Sequence, residues 1–403
     1  MSNVTKVDKC IACDYDLLYP TLDLGNQPLA NSFTPTKEKQ EEYPLAINRC
    51  LNCNHLQLTH IVNPELIYKN YSYVSGTTKT YVDYMDWFAK WVREYSGHYY
   101  GHVLDIGCND GTQLDAFARI GFRTYGVDPA ENLHQISTSK GHKVVCGFWN
   151  KQTIQELHTG ATRFDVAVSQ NAFAHIPDPH TYLKLLRPLI ADDGLFFIQT
   201  SQADMVLNGE FDTIYHEHIS FYNINSMREL AIRSGWNLVD VVKTPIHGTS
   251  YVFILSPNKS KPQNIKNLIE MESKLQKPIT YTLWASGVEQ IKNEFKKVCA
   301  EHREKGYRLV GYGAAAKGMT LLNYVKEELD FIIDDNPLKQ YHYTPGLNIP
   351  ITSVVELDDV EEPICFIPLA WNFFDEIVKR IRDRRVDSRD KYVRYFPKVG
   401  VQE

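Results

Sequence analysis

The amino-acid sequence predicts an α/β protein with a doubly wound sheet at its centre. From residue 103 to about residue 256, apolar strand-like runs alternate with helical patterns, which is typical of successive βαβ units. Two C-x2-C cysteine pairs precede this part of the chain, and a second strand, glycine turn and helix follow it from residue 308. A chain of 403 residues is long enough for two or three domains, each with its own core.

The cysteines of the first 65 residues indicate a metal site. Cys10 and Cys13 form one C-x2-C pair and Cys50 and Cys53 form the other, with 36 residues between Cys13 and Cys50. Two such pairs present four thiolates to one tetrahedral ion, so structural zinc is favoured over disulfides or a redox dithiol. Because four thiolates leave zinc no open position, we expect the ion to hold a small lobe together rather than to catalyse.

The central sheet is predicted from seven short runs that are rich in apolar, β-branched and aromatic residues. A helical pattern over residues 81–95 precedes the first run. The predicted strands are residues 103–106, 123–127, 143–146, 164–169, 194–200, 237–244 and 251–255. Ligands of such sheets bind at the carboxyl ends of the strands, so the residues that follow each strand are candidates for a site.

The turn after the first predicted strand is the most informative segment. It has the pattern D-x-G-x-N-D-G, and the next strand ends in Asp128, whose carboxylate can accept hydrogen bonds from both hydroxyls of a ribose. The pattern lacks the G-x-G-x-x-G spacing of dinucleotide sites and the Lys of a phosphate loop. This favours S-adenosylmethionine (SAM), a cationic nucleoside, over an ordinary structural turn. The predicted cofactor-binding residues are Asp105, Gly107, Asn109, Asp110, Gly111, Asp128 and Asn171.

These features predict a central class I SAM-methyltransferase sheet of Rossmann-like topology, an N-terminal zinc-binding lobe and a C-terminal Rossmann-like α/β domain. The predicted boundaries are residues 1–65 for the lobe, 66–258 for the methyltransferase domain, and 259–403 for helical linkers and the C-terminal domain. In the C-terminal domain the predicted order is a strand at 308–312, a turn at 313–318, a helix at 319–325 and a strand at 329–333.

The C-terminal glycine turn predicts an anion site. It opens a helix directly after a strand, and N–H groups at a helix start attract phosphate. Lys317 adds a positive charge, and Asp334 and Asp335 end the following strand, near the reach of a ribose. A structural turn without a ligand is an equally good interpretation of this segment alone. The predicted substrate-binding residues are Tyr222, Lys317, Gly313, Asp334 and Asn336.

Two histidine segments are candidates for proton transfer. Residues 215–222 place Glu217 between His216 and His218, and a carboxylate beside a histidine can orient it as a general base. The spacing does not match the H-E-x-x-H metal motif, and taken alone a satisfied structural histidine is favoured. His175 follows the fourth predicted strand, where a catalytic role and a hydrogen bond to the backbone are equally open.

The overall composition is that of a globular protein. Hydrophobic residues make up 43% and charged residues 23% of the chain, and the net charge of −6 argues against binding nucleic acid through its phosphates. No run approaches the roughly 20 apolar residues of a membrane span, and no signal-peptide core is visible, so we expect a cytoplasmic protein. Because no coiled-coil pattern occurs, we expect a monomer, with a weak dimer as the alternative.

Together these segments resemble those of the sugar C-methyltransferases, which use SAM to methylate a carbon of a nucleotide-linked keto-deoxysugar. The resemblance implies methylation at C3 of a dTDP- or GDP-linked 4-keto-6-deoxyhexose, on the way to a branched deoxysugar of a lipopolysaccharide or a natural product. It spans nearly the whole chain, and its motifs are the two cysteine pairs and the segments 24–33, 171–178, 215–222, 311–318, 335–337, 345–346, 349–351 and 371–372.

The resemblance also implies roles for individual residues. His218 would be the base, with Glu217 and Tyr215 beside it. Tyr73 would contact the sugar, although Tyr71 is a rival for that position. The C-terminal domain would bind the nucleotide diphosphate. With His175 from the earlier segment, the predicted catalytic residues are His218, Glu217, Tyr215, Tyr73 and His175.

Three points stay open from the sequence. A SAM-dependent methyltransferase acting on oxygen or nitrogen of a sugar or small molecule would use the same Glu217–His218 pair. A zinc-ribbon interaction protein with a degenerate SAM fold is a third class, although the unbroken set of Asp105, Gly107, Gly111 and Asp128 argues against degeneration. Residues 340–346 are more aromatic than the family pattern, and Leu347 and Asn348 stand where Thr-His is frequent, which leaves the nucleotide base open.

Overall fold

A computed structural model describes residues 3–69, 74–77, 79–157, 163–200, 204–246, 249–258 and 265–403, so Tyr71 and Tyr73 lie outside the described residues. The chain forms two compact units that do not follow chain order. Unit 1 consists of Met1–Tyr19, Asn48–Ala203 and Ile219–Gln276, and unit 2 of Pro20–Ile47, Asp204–His218 and Lys277–Glu403. The division into three consecutive domains stays a prediction.

The strands and helices of the described chain are numbered in chain order. The strands are β1 Val4–Lys6, β2 Leu18–Gln27, β3 Tyr43–Cys50, β4 Leu56–Leu58, β5 His60–Val62, β6 Gly101–Ile106, β7 Phe122–Asp128, β8 Lys143–Cys146, β9 Phe164–Gln170, β10 Ile190–Thr200, β11 Ser220–Phe221, β12 Asn237–Thr244, β13 Ser250–Ser256, β14 Arg308–Tyr312, β15 Phe331–Ile333, β16 Ile351–Thr352, β17 Ile364–Pro368, β18 Lys391–Arg394 and β19 Gly400–Gln402. The helices are α1 Glu65–Tyr68, α2 Lys79–Ser96, α3 Thr112–Arg119, α4 Glu131–Ser139, α5 Lys151–Leu157, α6 Pro179–Leu186, α7 Met205–Asn208, α8 Ile224–Arg233, α9 Lys266–Met271, α10 Pro278–Glu304, α11 Ala316–Val325 and α12 Phe374–Arg384.

Unit 1 is built around a sheet with the strand order β12-β13-β10-β9-β6-β7-β8. Its strands are parallel except for β13, which runs antiparallel to both β10 and β12. From β6 the chain moves outward to β7 and β8 and returns on the other side of β6 as β9, so the strand order reverses between β6 and β9. Ligands of open α/β sheets bind in the crevice at such a reversal. The topology confirms the predicted class I SAM-methyltransferase sheet.

The predicted strands of this sheet match the observed ones closely, with one informative difference. The strand expected at 194–200 begins at Ile190, because Ile190 already pairs with Phe164 of β9. The register then shifts before Leu195, which is paired with Val166. Such a bulge interrupts the regular alternation on which the prediction depended.

Helix α2 covers one face of the sheet beside β10. Phe88 of this helix packs edge-on against Phe197 of β10, with ring centroids 6.5 Å apart. Burial of an aromatic side chain of this size contributes about 1.5–3 kcal/mol to folding. The residues that α2 buries have the spacing of a single helical face and are Tyr81, Met85, Phe88, Ala89 and Val92.

The cysteine segments of unit 1 adjoin short strands. β4 pairs antiparallel with β11, with Gln57 opposite Ser220, and β1 pairs antiparallel with β5. β1 precedes the first cysteine pair in the chain, and β4 follows the second, so these short strands flank the zinc-binding lobe that the sequence predicts.

Unit 2 contains a second α/β sheet, with the order β16-β15-β14-β17-β18-β19. Its strands are parallel except for β19 at the edge. Helix α11 begins at Ala316, so Lys317 and Gly318 belong to the helix and not to the predicted turn. The following strand is shorter than expected and begins at Phe331. The predicted Rossmann-like C-terminal fold is nevertheless present.

The region expected to be helical linkers, residues 259–305, is only partly a connector. Residues 259–264 lie outside the described residues, and α9 and α10 follow. Helix α10 buries a continuous stripe that includes Trp284, Val288 and Phe295, so it packs into a core instead of lying in solvent. Of the helices that the structure describes, none is long and apolar enough to cross a membrane.

Candidate active site and zinc site

The four cysteines of the lobe converge on one point. Their sulfur atoms all lie within 4.8 Å of one another, and the side chains are buried. Each pair sits on a tight turn in which the N–H four residues after the first cysteine donates to that cysteine's carbonyl, from Asp14 to Cys10 and from Asn54 to Cys50. The sequence spacing therefore brings Cys13 and Cys53 onto the same centre, 3.6 Å from Cys50 and Cys10 respectively.

The electrostatics of this sulfur cluster fit a bound cation. Contact with Cys10 lowers the pKa of the Cys50 thiol, while contact with Cys50 raises the pKa of Cys10 and contact with Cys10 raises the pKa of Cys53. Buried sulfurs at this distance cannot all ionise unless a positive charge lies between them. Cys10, Cys13, Cys50 and Cys53 would hold a structural zinc ion, and a closed set of four thiolates would leave that ion no catalytic position.

The loop after β6 has the geometry of a ligand-binding turn. The N–H of Gly107 donates to the carbonyl of Val127 at the end of β7 (2.8 Å). Gly107 has a φ of +90°, and a Cβ atom there would lie 2.5 Å from the Cβ of Ala172. Gly111 has a φ of +79° and caps the N-terminus of α3. Glycine is thus required at 107 by both its conformation and its neighbour.

Two carboxylates flank this loop in unit 1. Asp128 accepts hydrogen bonds from the N–H groups of Asn109 (2.8 Å) and Ala130 (2.9 Å), one on each oxygen. Asp105 is 3% exposed, and burial together with the charge of Asp128 raises its pKa to about 8. Its Oδ1 has no hydrogen-bond partner among the described residues. A cationic ligand beside Asp105 would favour the ionised carboxylate.

Asn109 and Asp110 contact the protein instead of pointing away from it. Asn109 Oδ1 accepts the N–H of Ser75 (2.9 Å), and Asp110 accepts the N–H groups of Gly76 and Thr112 (both 3.1 Å). These side chains fasten the segment 74–77 to the loop, and Asp110 also accepts the first N–H group of α3. Their predicted direct contact with SAM stays a prediction, and the observed bonds favour a role in holding the loop.

Asn171 and His175 follow β9 in the same unit. Asn171 adopts a left-handed conformation with a φ of 54°, and its Nδ2 donates to the hydroxyl of Tyr81 (3.0 Å). His175 stacks on Tyr68 with ring centroids 5.4 Å apart, and burial lowers its pKa to about 4. A neutral, stacked imidazole of this kind favours the structural interpretation of His175 over a catalytic role.

The segment that ends at His218 lies in unit 2. His218 Nδ1 lies 2.7 Å from the carbonyl oxygen of Thr213, and His218 Nε2 lies 2.9 Å from the hydroxyl of Tyr215. Both ring nitrogens of His218 are therefore held in defined directions. The other histidine, His216, lies 3.3 Å from the carbonyl oxygen of Tyr43, and burial lowers the pKa of His216 to about 4.

Glu217 is buried beside these residues. Its Oε1 accepts a hydrogen bond from Asn31 Nδ2 at 2.6 Å, within unit 2.

Tyr222 belongs to unit 1, where it is 2% exposed and its ring packs against His55 (4.8 Å between ring centroids) and Phe173 (5.4 Å). A tyrosine enclosed in the core in this way does not favour the predicted contact with substrate.

The glycine turn of unit 2 has the same hydrogen bonds as the turn of unit 1. The N–H of Gly313 donates to the carbonyl of Ile333 at the end of β15 (2.7 Å). Asp334 accepts the N–H groups of Ala314 (2.6 Å) and Asn336 (2.8 Å), as Asp128 does from its own turn. The predicted residues Gly313, Asp334 and Asn336 thus form one structured turn, and their contact with substrate stays a prediction.

Two lysines lie near this turn, and the sequence singled out only one. Lys317 Nζ points to Glu210 Oε2 (3.9 Å) and lies 5.0 Å above the ring of Trp371. Lys339 Nζ donates to the carbonyl of Ala314 in the turn itself (2.8 Å), and burial lowers its pKa. Lys339 belongs to no recognisable sequence motif, so its proximity to the turn could not be predicted from the sequence and is seen only in the structure.

Family models match three consecutive parts of the chain. A zinc binding domain matches residues 10–68, a methyltransferase domain residues 84–241, and a C-methyltransferase C-terminal domain residues 245–397. Together they account for most of the sequence, in the order that the motifs predict.

The chain is also similar to individual known proteins. The chain is 29% identical over 388 residues to C-methyltransferase NovU of Streptomyces niveus. The aligned region covers 93% of this chain and 92% of the relative. It is 26% identical over 171 residues to a ubiquinone biosynthesis O-methyltransferase of Coxiella burnetii, covering 40% of this chain and 73% of that protein. A solved S-adenosylmethionine-dependent methyltransferase from Clostridium acetobutylicum is 12% identical, with a TM-score of 0.35, and covers 44% of this chain and 92% of that one.

Proposed function

Because this chain belongs to the SAM-dependent C-methyltransferases, we propose that its acceptor is a nucleotide-linked 4-keto-6-deoxyhexose, methylated at C3. A carbon atom must become a nucleophile before it can accept a methyl group. A neighbouring ketone makes this feasible, because its C–H is acidic enough to be removed by a well-placed base. The proposal therefore requires a base, a donor site and a site for the nucleotide.

The hydrogen bonding of His218 carries this proposal. A carbonyl oxygen only accepts, so the bond to Thr213 fixes the proton of the neutral ring on Nδ1 and leaves the lone pair on Nε2. We assign Nε2 as the base that takes the C3 proton. The electrons of the broken C3–H bond form the C3=C4 bond of an enolate, and the C4 oxygen takes the negative charge. Tyr215, at 2.9 Å, orients the same nitrogen.

The loop of unit 1 is assigned to the methyl donor. When bound, SAM supplies an electrophilic methyl group, which the enolate carbon takes up as the carbon–sulfur bond breaks. Gly107 and Gly111 let the backbone approach the ligand closely, Asp128 lies where a ribose is bound in this architecture, and Asp105 offers a carboxylate to the cation.

The turn of unit 2 is assigned to the nucleotide diphosphate. The N-terminus of α11 carries no side-chain cap, so its first N–H groups are available to an anion. Lys339, which contacts the turn through Ala314, is the better-placed cation, whereas Lys317 is directed to Glu210. The repeated Asp334 arrangement supports a nucleoside at this turn.

Mass spectrometry tests the proposed function. The protein is incubated with SAM and a panel of dTDP- and GDP-linked 4-keto-6-deoxyhexoses, and each product is examined for the gain of one methylene. We expect a gain only with substrates that carry the ketone, and a product in which the new methyl group is on carbon. Methylation of the corresponding 4-hydroxy sugars would instead indicate transfer to oxygen and contradict the proposal.

A further inference from the structure

We infer that the side-chain amide of Gln199 binds the ketone oxygen of the acceptor and stabilises the negative charge that develops there. This inference rests on the proposed function, because it requires an acceptor with a ketone. Gln199 is the penultimate residue of β10 and is fully buried. Its Nε2 has no hydrogen-bond acceptor among the residues that the structure describes.

The orientation of this amide is fixed by two donors. The hydroxyl of Tyr84 lies 2.9 Å from Gln199 Oε1, and Gln170 Nε2 lies 3.0 Å from the same oxygen. Burial raises the pKa of Tyr84 to about 12, so its hydroxyl stays protonated and donates. Since both bonds end on Oε1, the group left free is the NH₂, which can only donate.

The free amide lies at the ligand-binding edge of unit 1. β6, β9 and β10 are adjacent and parallel, so their carboxyl ends share one edge, and β10 is about 10 Å from β6. Asn171 connects the end of β10 with the donor loop after β6. Its N–H donates to the carbonyl of Gln199, and the next residue, Ala172, lies against Gly107. Gln199 therefore lies on the same edge of the sheet as the donor loop, where an acceptor that extends from the donor toward β10 would reach it.

The chemistry of the unpaired group identifies what it would bind. A buried NH₂ without an acceptor is unfavourable unless a ligand supplies an oxygen. Both the ketone oxygen of the acceptor and the carboxylate of SAM are such oxygens. We assign the ketone oxygen, because the donor's nucleoside is placed at β6 and β7 and Gln199 lies two strands away on the opposite side of β6. A fixed donor at that oxygen favours the enolate over the ketone.

The Gln199→Glu variant tests this assignment. It keeps the oxygen that accepts from Tyr84 and Gln170 but replaces the donating NH₂ by an oxygen. We expect kcat to fall by about a hundredfold to a thousandfold, as for other lost oxyanion donors, and exchange of the C3 proton with solvent to slow by a similar factor. The affinity for SAM, measured by calorimetry, should change less than about threefold, since the amide does not contact the donor.

Two further variants separate this role from a structural one. Gln199→Met removes the donor without adding charge and should lose kcat in the same range, with SAM affinity retained as evidence of folding. Tyr84→Phe leaves the amide in place but removes one of the two groups that orient it, so we expect a smaller loss of kcat. Wild-type exchange of the C3 proton in Gln199→Glu and Gln199→Met would overturn the inference.

The result with SAM distinguishes the two oxygen sources. A loss of SAM affinity in both Gln199 variants would assign the amide to the carboxylate of the donor and overturn the inference. If the wild-type protein itself neither exchanges the C3 proton nor methylates any keto sugar, the proposed function fails. If the wild type is active and the two variants match it, the inference about Gln199 fails and the proposed function stands.

Discussion

The hydroxyl oxygen of Tyr215 lies 2.9 Å from Nε2 of His218, the nitrogen that we assign as the base. Because Nδ1 carries the proton, the tyrosine donates to the lone pair that must later accept a proton from carbon. Tyr215 therefore holds the ring in direction, and the proposed step requires its hydroxyl to leave Nε2 before that nitrogen takes the C3 proton.

Removal of that hydroxyl should impair the chemical step without abolishing it. We expect Tyr215→Phe to lower kcat about tenfold, the equivalent of one hydrogen bond of about 1.4 kcal/mol, while the affinity for SAM is unchanged. Tyr324→Phe is the matched control, because that hydroxyl donates to Glu289 in the same unit and has no assigned role. Equal kcat values for Tyr215→Phe and the wild type would contradict the orientation of His218 by Tyr215.

The raised pKa of Asp105 makes SAM binding dependent on pH. With a pKa of about 8, the carboxyl group of the unliganded protein is protonated at pH 7, and a cationic ligand favours its ionised form. The affinity for SAM should therefore increase as the pH rises from about 6 to about 8, by at most about tenfold per unit, and then level off. Calorimetry in buffers of different ionisation enthalpy should detect release of a proton on binding at pH 7.

A substitution of Asp105 gives the control for this pH dependence. Asp105→Asn has no titrating group at this position, so its SAM affinity should not vary with pH between 6 and 9 and its binding should release no proton. If the SAM affinity of the wild type does not depend on pH over that range, the ionisation of Asp105 is not coupled to SAM binding, and the prediction is wrong.

Substitution of Gly107 tests the donor loop and separates two effects of an added Cβ atom: backbone strain at positive φ and a steric clash with a neighbouring residue. Gly107 and Gly141 have nearly the same φ, +90° and +89°, but only at Gly107 does an added Cβ meet another atom, at 2.5 Å from Ala172. Gly107→Ala should weaken SAM binding by more than about a hundredfold, because the loop must move, whereas Gly141→Ala bears only the cost of positive φ, about 1 kcal/mol of stability. Similar SAM affinities for the two variants would contradict a close-fitting loop.

The zinc site should be necessary for the stability of the lobe. Metal analysis of freshly purified protein should give one zinc per chain, and Cys13→Ala should lose most of it and destabilise the protein by more than about 4 kcal/mol. Cys146→Ala is the control, since Cys146 is partly exposed and lies outside the sulfur cluster. A protein that contains no zinc while its lobe remains folded would rule the site out.

Much of the fold could be predicted because its cues are local. The zinc cysteines needed only their spacing, since two tight turns present four sulfurs to one centre. The two glycine turns needed only the order of strand, glycine and helix, because Gly107 and Gly313 occupy left-handed conformations that other residues rarely adopt. In both turns the aspartate at the end of the next strand was also predictable, and the structure shows both as acceptors for backbone N–H groups.

Other features depend on contacts between distant segments. Gln199 is oriented by Tyr84, 115 residues earlier, and Glu217 is held by Asn31, 186 residues earlier, so no local pattern indicated either pair. The place of Lys317 after a glycine turn did not indicate its neighbour Glu210, which is 107 residues earlier in the chain and 3.9 Å away, and its contact with substrate stays a prediction. Residue type could not indicate the burial of Tyr222, which is 2% exposed, and its predicted contact with substrate stays a prediction.

Exchange of the C3 proton tests the proposed mechanism most directly. The protein is incubated with a nucleotide-linked 4-keto-6-deoxyhexose in D₂O without SAM, and deuterium at C3 is followed by NMR. The wild type should incorporate deuterium, and His218→Ala should slow this by about a hundredfold to ten-thousandfold while binding SAM with wild-type affinity. Exchange at the wild-type rate in His218→Ala would show that His218 is not the base.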